Sequence, residues 1–237
     1  MTTPKKTSYI LGITFYTIGL VLCLLIASSS VMADIEAEFY GFDELSKGRF
    51  STLRCPAVLN KNETGTVRVS ITNTLDRPIN PVIRRDISTP VMGDTTRDQV
   101  SLDIGQTKVL EWQVDKDNID LGNFIFVKVY IFPEYPLPLR EATCGIYVIN
   151  LPIIKGSQWL GLAMVLGIGG LGLGLILLRG SSDRSIGRVR ERLAALTLLA
   201  VLLVAAVICG TLGWWVWGGI LLVACVLTMI AMLYLLL

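Results

Sequence analysis

SYILGITFYTIGLVLCLLIA, residues 8–27, runs for 20 residues without a charge. A helix of that length rises about 30 Å, which matches the hydrocarbon thickness of a bilayer. Lys5 and Lys6 precede it, and an acidic segment beginning at Asp34 follows. Val31, Met32 and Ala33 offer a small-residue cleavage pattern, but the apolar stretch exceeds the roughly 7–15 residues of a signal-peptide core. The segment therefore reads as a retained signal anchor, with a cleaved signal peptide as the alternative.

Outward from this stretch, hydrophobicity is distributed in blocks. The chain has 237 residues, 52% of them hydrophobic, and a mean hydropathy of +0.61. The excess over a soluble domain's roughly 45–50% apolar usage falls in the N-terminal block and after residue 156, whereas residues 34–155 have ordinary soluble composition. Trp159 to Leu178 is a second uncharged span, closed by Arg179, and Leu193 to Cys209 and Trp217 to Leu237 form a hairpin of two more. The layout is residues 1–30 as an N-terminal anchor, 31–155 as a β-rich domain, 156–179 as the second helix, 180–192 as a basic loop and 193–237 as the hairpin. The expected class is an α+β membrane protein with four transmembrane helices and an all-β domain outside the cytoplasm.

Orientation follows the lysine and arginine bias of short loops. Arg179, Arg184, Arg188, Arg190 and Arg192 face only Asp183 and Glu191 in their loop, which places it in the cytoplasm together with Lys5 and Lys6. Residues 34–155 carry 14 basic and 17 acidic side chains, a net of −3. The four spans then alternate with both termini inside, and the expected location is the plasma (inner) membrane. The five arginines also suit anionic lipid head groups, although topology alone accounts for them.

Trp159 at the start of the second span and Trp214, Trp215 and Trp217 in the hairpin suit a membrane–water interface, where an indole buries its ring and keeps its N–H wet. Ala163, Gly167, Gly170 and Gly174 recur at spacings of 4, 3 and 4 and share one helix face. Such a face admits another helix at close range. Spacing leaves open whether that helix is internal or belongs to another subunit.

Between Phe50 and Pro152 the apolar period changes to two, with turn residues at intervals that suit a β-sandwich. Thr66 to Thr74, TVRVSITNT, is the clearest strand. Others are expected at Pro81–Ile87, Gln99–Leu102, Thr107–Val114, Phe124–Phe132 and Thr143–Asn150, with Phe124–Phe132 central and Trp112 in the core. Cys55 and Cys144 are the only cysteines in this domain, and an oxidising exterior predicts that they pair. Asp34 to Arg49 reads as a short surface helix with Ile35, Phe39 and Phe42 on one side, docked on the β domain or on a neighbouring protein. The loop around Tyr135, Pro136 and Pro138 is the candidate partner-binding loop. Asn62-Glu63-Thr64 has the form of a glycosylation acceptor.

The run Cys55-Pro56, then GTVRVSITNTLDRPINP (65–81), then SLDIGQTKVLEWQV (101–114), resembles bacterial surface Ig-like and fibronectin-type sandwiches. The resemblance implies a fold and no activity. The layout of four helices with a large β-rich first outer loop is also similar to the claudin arrangement, whose Trp-Gly-Leu-Trp and paired-cysteine signature is missing here.

Function is narrowed mainly by what the chain lacks. It has no histidine, the side chain most used for proton transfer near neutral pH and for metal ligation. No Asp, Glu, Lys or Arg falls inside the four expected spans, and ion pathways and proton relays are built from such groups. The expectation is a non-catalytic accessory or structural subunit, with no cofactor, no metal, no nucleic acid and no small-molecule substrate. Its partners would be membrane lipid and other membrane-protein subunits. The alternative is a receptor or adhesion protein whose β domain binds a peptide or sugar, and an enzyme or transporter ranks third.

Overall fold

A computed structural model describes residues 3–43, 48–90, 93–133, 138–151, 153–181 and 187–234. The chain divides into two compact units, Met1–Val31 with Gln158–Leu237, and Met32–Ser157.

The first unit is helical. Helix α1 spans Thr3–Phe39, α2 Gly156–Ser181, α3 Gly187–Thr211 and α4 Trp215–Tyr234. All four are long and apolar enough to cross a membrane. Helix α1 extends beyond the expected span because the apolar block is followed by good helix formers, Ala33, Glu36, Ala37 and Glu38, without an intervening Pro or Gly. Helices α3 and α4 meet through a turn at Gly213, whose φ of 77° and N–H to the Gly210 carbonyl (3.2 Å) close the hairpin. The glycine face of α2 packs inside the unit, against α1. A Cβ on Gly19 would lie 2.6 Å from the Gly167 carbonyl oxygen, and one on Gly170 would lie 2.9 Å from the Phe15 carbonyl oxygen. The backbones thus approach as only small residues allow. Tyr16 lies against Gly174, and its hydroxyl donates to the Leu196 carbonyl of α3 at 2.8 Å.

Among the described residues, the second unit holds eight strands: β1 (Leu53–Arg54), β2 (Val58–Asn60), β3 (Gly65–Thr72), β4 (Val82–Ile87), β5 (Asp94–Gln99), β6 (Thr107–Val114), β7 (Phe124–Phe132) and β8 (Arg140–Ile149). They form one sheet of order β1-β3-β6 and another of order β2-β8-β7-β4-β5. All pairings are antiparallel except β2 with β8. Alternation drives the assembly. In β3, Val67, Val69 and Ile71 are buried while Arg68 and Thr72 are exposed, and β6 opposes them with Trp112 and Leu110. The same buried cluster takes Ile83 and Ile87 from β4, Ile125 and Val127 from β7, and Ile146 from β8, so both sheets contribute to one core. Strand β7 is central in its sheet, as its apolar run predicts.

Three sequence expectations are corrected. Gln99–Leu102 is not a strand; β5 lies upstream at Asp94–Gln99. Val100 and Leu102 are buried and gave the apolar signal, whereas β5 is a polar edge strand. Its polar groups are satisfied within the sheets: Asp98 accepts from Trp112 Nε1 (3.1 Å) and Thr96 from Arg85 (3.1 Å). Asp34–Arg49 is not a separate surface helix; α1 continues through Phe39, and Phe42 lies beyond its end. The last strand begins at Arg140 rather than Thr143.

Candidate functional site

The side chains of β7 alternate between two environments. Ile125, Val127, Val129 and Ile131 face the shared core, and Phe124, Phe126, Lys128, Tyr130 and Phe132 face the other side of the five-stranded sheet. Register places Asp86, Lys128 and Thr143 in one row across that face, and Arg84, Tyr130 and Glu141 in the next. A polar face in the middle of a sheet ordinarily belongs in water. Here it is buried: Lys128 is 2% exposed and Glu141 0%.

The chain itself provides the cover. The last turns of α1 run along β8, where the Ala33 backbone lies against Gly145 so closely that a Cβ on Gly145 would collide with the Ala33 carbonyl oxygen. Asp34 accepts the Gly145 N–H at 3.0 Å, and Glu38 accepts from the Thr143 hydroxyl at 2.7 Å. Beyond the helix, the Tyr40 ring packs on Phe126 with centroids 4.5 Å apart, and Phe42 meets Tyr40 edge-on at 4.8 Å. The Tyr40 hydroxyl donates to Asp120. Burial and that carboxylate push the phenol up to about 12. The Asp43 carbonyl accepts the Tyr130 hydroxyl. Arg49 closes the cover by pairing with Glu38 and, at 3.4 Å, with Glu141, whose backbone N–H donates to the Gly48 carbonyl at 2.8 Å.

Beneath the cover the charges neutralise one another. Lys128 Nζ lies 3.7 Å from Glu141 Oε1, and Arg84 reaches both oxygens of Asp86 at 3.0 Å. Thr95 donates to the same Asp86 at 2.8 Å. Arg84 and Lys128 both lie over the Tyr130 ring, at 5.2 and 5.4 Å, where the ring's negative face attracts cations. Burial first, then the carboxylates of Asp86 and Glu141, holds the Tyr130 phenol well above its usual value. The arrangement is a clamp: its acids and bases bind each other and the chain's own segment. Among the described residues, no group of three or more Cys, Asp or Glu is placed to hold a metal ion.

The residues singled out by sequence are dispersed. Cys55 and Cys144 form a disulfide with Cα atoms 6.4 Å apart, joining the crossing from β1 to β2 with β8. Ala163, Gly167, Gly170 and Gly174 lie in α2, the three glycines against α1 and Ala163 in the core of the helical unit. Trp159 and Trp215 are half-buried, while Trp214 and Trp217 are exposed. Arg179 is exposed and donates to the Thr197 hydroxyl at 3.2 Å; Arg190 and Arg192 are exposed on α3. Arg184 and the side chain of Arg188 lie outside the described residues, as do Tyr135 and Pro136. Pro138 is exposed and lines a small cleft with Pro133, Ile71 and Ile79. The clamp residues Lys128, Glu141, Arg84 and Asp86 were missed. The available signal was Lys128, the one charge in an otherwise apolar strand, which required a buried partner.

No protein-family model and no curated protein matches this chain. Among solved structures, it is similar to the CARDB domain of a Pyrococcus furiosus protein in complex with di-metal ions, at 16% identity and a TM-score of 0.34 over 42% of this chain and 90% of that one. It is also similar to a Bacteroides uniformis β-glucuronidase, at 13% identity and a TM-score of 0.32 over 40% of this chain and 12% of that one. A cycloisomaltooligosaccharide glucanotransferase of Paenibacillus sp. matches at 16% identity and a TM-score of 0.32, over 43% of this chain and 14% of that one.

Proposed function

We propose that the chain is a non-catalytic accessory or structural subunit of a membrane protein complex. In this reading its four helices cross the plasma (inner) membrane with both termini in the cytoplasm, and its β unit is an Ig-like sandwich presented outside. The observation that carries the reading is the clamp. The end of a long apolar helix is built into the sheet through Asp34, Glu38 and the Gly145 contact, and the sheet's charged face is spent on holding it. A β unit secured in this way suits a scaffold that offers surfaces to other proteins. The arginine bias of residues 179–192 supports the orientation.

Mass spectrometry of the gently solubilised, affinity-captured chain tests the proposal, with stoichiometric partner subunits expected. Turnover or solute flux by the isolated polypeptide overturns it. A receptor role has one observation in its favour, a cleft of about 150 Å³ in the β unit, lined by Ile71, Ile79 and Ile131 together with Thr52, Ser70 and Thr72. A purified monomer carrying a bound small ligand or peptide would favour that alternative.

A further inference from the structure

Asp120 and Phe124 pair across a tight turn, Leu121-Gly122-Asn123, at the start of β7. Leu121 adopts a φ of 45° and Gly122 a φ of 85°. The left-handed region is natural for glycine and costly for a residue with a Cβ. Leu121 occupies it and is nevertheless 61% exposed, so packing among the described residues offsets little of that cost.

The location of the turn supplies a reason. Val148 donates to the Asn123 carbonyl at 2.8 Å, so the turn lies at the end of the five-stranded sheet where β8 finishes. At the same end Asn60 holds the Leu151 carbonyl and, at 2.7 Å, the Ile154 carbonyl. Glu63 accepts the Gly156 N–H at 2.7 Å where α2 begins. Ile153, between them, is 91% exposed. The chain thus leaves the β unit for an apolar helix from the end that bears Leu121 and Ile153. We infer that Leu121 and Ile153 form an apolar rim that dips into the head-group layer of the bilayer, making this end of the β unit a lipid-binding surface. The inference rests on the membrane reading above. Apolar side chains at the boundary between head groups and acyl chains gain the burial that the chain withholds.

Ile104 provides a matched control, because it is also 61% exposed but lies in a different turn, beside Asn73 and Gln106. The full-length chain in phosphatidylcholine nanodiscs is subjected to hydroxyl-radical footprinting, with slower oxidation expected at Leu121 and Ile153 than at Ile104. A second measurement places single bimane-labelled cysteines at Leu121, Ile153, Ile104 and Ile230 in a Cys209→Ala background, where Cys23 and Cys225 are buried and Cys55–Cys144 is bonded. Labels at 121 and 153 should emit at shorter wavelength than at 104 and be quenched by head-group nitroxide lipid. Emission and quenching at 121 matching those at 104, while acyl-chain nitroxide quenches the label at 230 on α4, overturns the rim and leaves the membrane reading standing. Absence of lipid quenching at 230 overturns both.

Discussion

Glu141→Gln separates a buried charge pair from a surface one. Glu141 and Lys128 have side chains 1% and 3% exposed at 3.7 Å, whereas Arg68 and Glu111 lie 2.8 Å apart with side chains 60% and 52% exposed. The exposed pair is shorter, yet solvent screening limits such pairs to about 0–1 kcal/mol. Removing one partner of a buried pair leaves an uncompensated charge and costs about 3–5 kcal/mol. That is a large share of the roughly 5–15 kcal/mol that stabilises a typical domain. Arg49 also loses a partner when Glu141 changes, which moves the expectation toward the upper end. The assay is pulse proteolysis of the full chain in detergent micelles across a urea series, following cleavage within residues 48–157. Glu141→Gln should shift the midpoint strongly and Glu111→Gln barely. Replacing both partners, Lys128→Met with Glu141→Leu, should recover much of the loss, since apolar isosteres of a buried pair are often neutral or better. Equal shifts for Glu141→Gln and Glu111→Gln, or a double variant as weak as the single one, would refute this reasoning.

Four further outcomes follow from the geometry. Gly145→Ala should push the end of α1 off β8 and cost about 1–3 kcal/mol from overpacking, seen as faster hydrogen exchange over residues 32–39. Gly170→Ile should lower the thermal stability of the helical unit, whereas Gly169→Ile and Gly172→Ile, whose Cβ positions are open, should leave it unchanged. Cys55 and Cys144 should resist thiol labelling until reduced. Opening their bridge, which closes a separation of 89 residues, should cost about 4–5 kcal/mol in the chain-entropy model. Tyr40 should titrate late: its folded pKa lies above that of the free phenol, so its stabilising contribution is present below about pH 10 and fades as pH rises through about 12. A phenolate absorbance titration of the protein with and without Tyr40→Phe checks it.

Much of this fold could be read from residue patterns, and the failures share a cause. Uncharged stretches announce helices because length and apolarity alone decide whether a segment can cross a bilayer. The period-two run of β3 announces a strand because one face must be buried. Strand β5 was placed too far along because Asp94–Gln99 has no apolar residue, and its Asp98 and Thr96 are satisfied by Trp112 and Arg85 from other strands. The end of α1 was read as a separate helix because its acidic residues follow directly on the uncharged span. Their partners, Gly145, Thr143 and Arg49, are distant in sequence or lie beyond the helix end. Non-local pairing of polar groups has no periodic signature, and the clamp consists of such pairings.

The same point bears on why charges persist beneath the cover. Hydrophobic residues at 128 and 141 would bury with no desolvation cost, so stability alone does not call for a lysine and a glutamate there. An apolar face, however, would accept residues 40–43 and 48–50 in many positions. Glu141 receives Arg49 and hydrogen-bonds with Gly48 and Phe50 along the backbone, while Arg84 meets Asp43 at 3.6 Å and Tyr130 binds the Asp43 carbonyl. These bonds fix one register of the segment over the sheet. Of these bonds the Lys128→Met, Glu141→Leu double variant removes the Arg49–Glu141 pair and keeps the rest, so it carries a second expectation: stability near the parent's, but faster hydrogen exchange at residues 48–50, where that pair pins the cover. Exchange there as slow as in the parent would show that the backbone bonds of residue 141 with Gly48 and Phe50 hold the register without the Arg49–Glu141 pair.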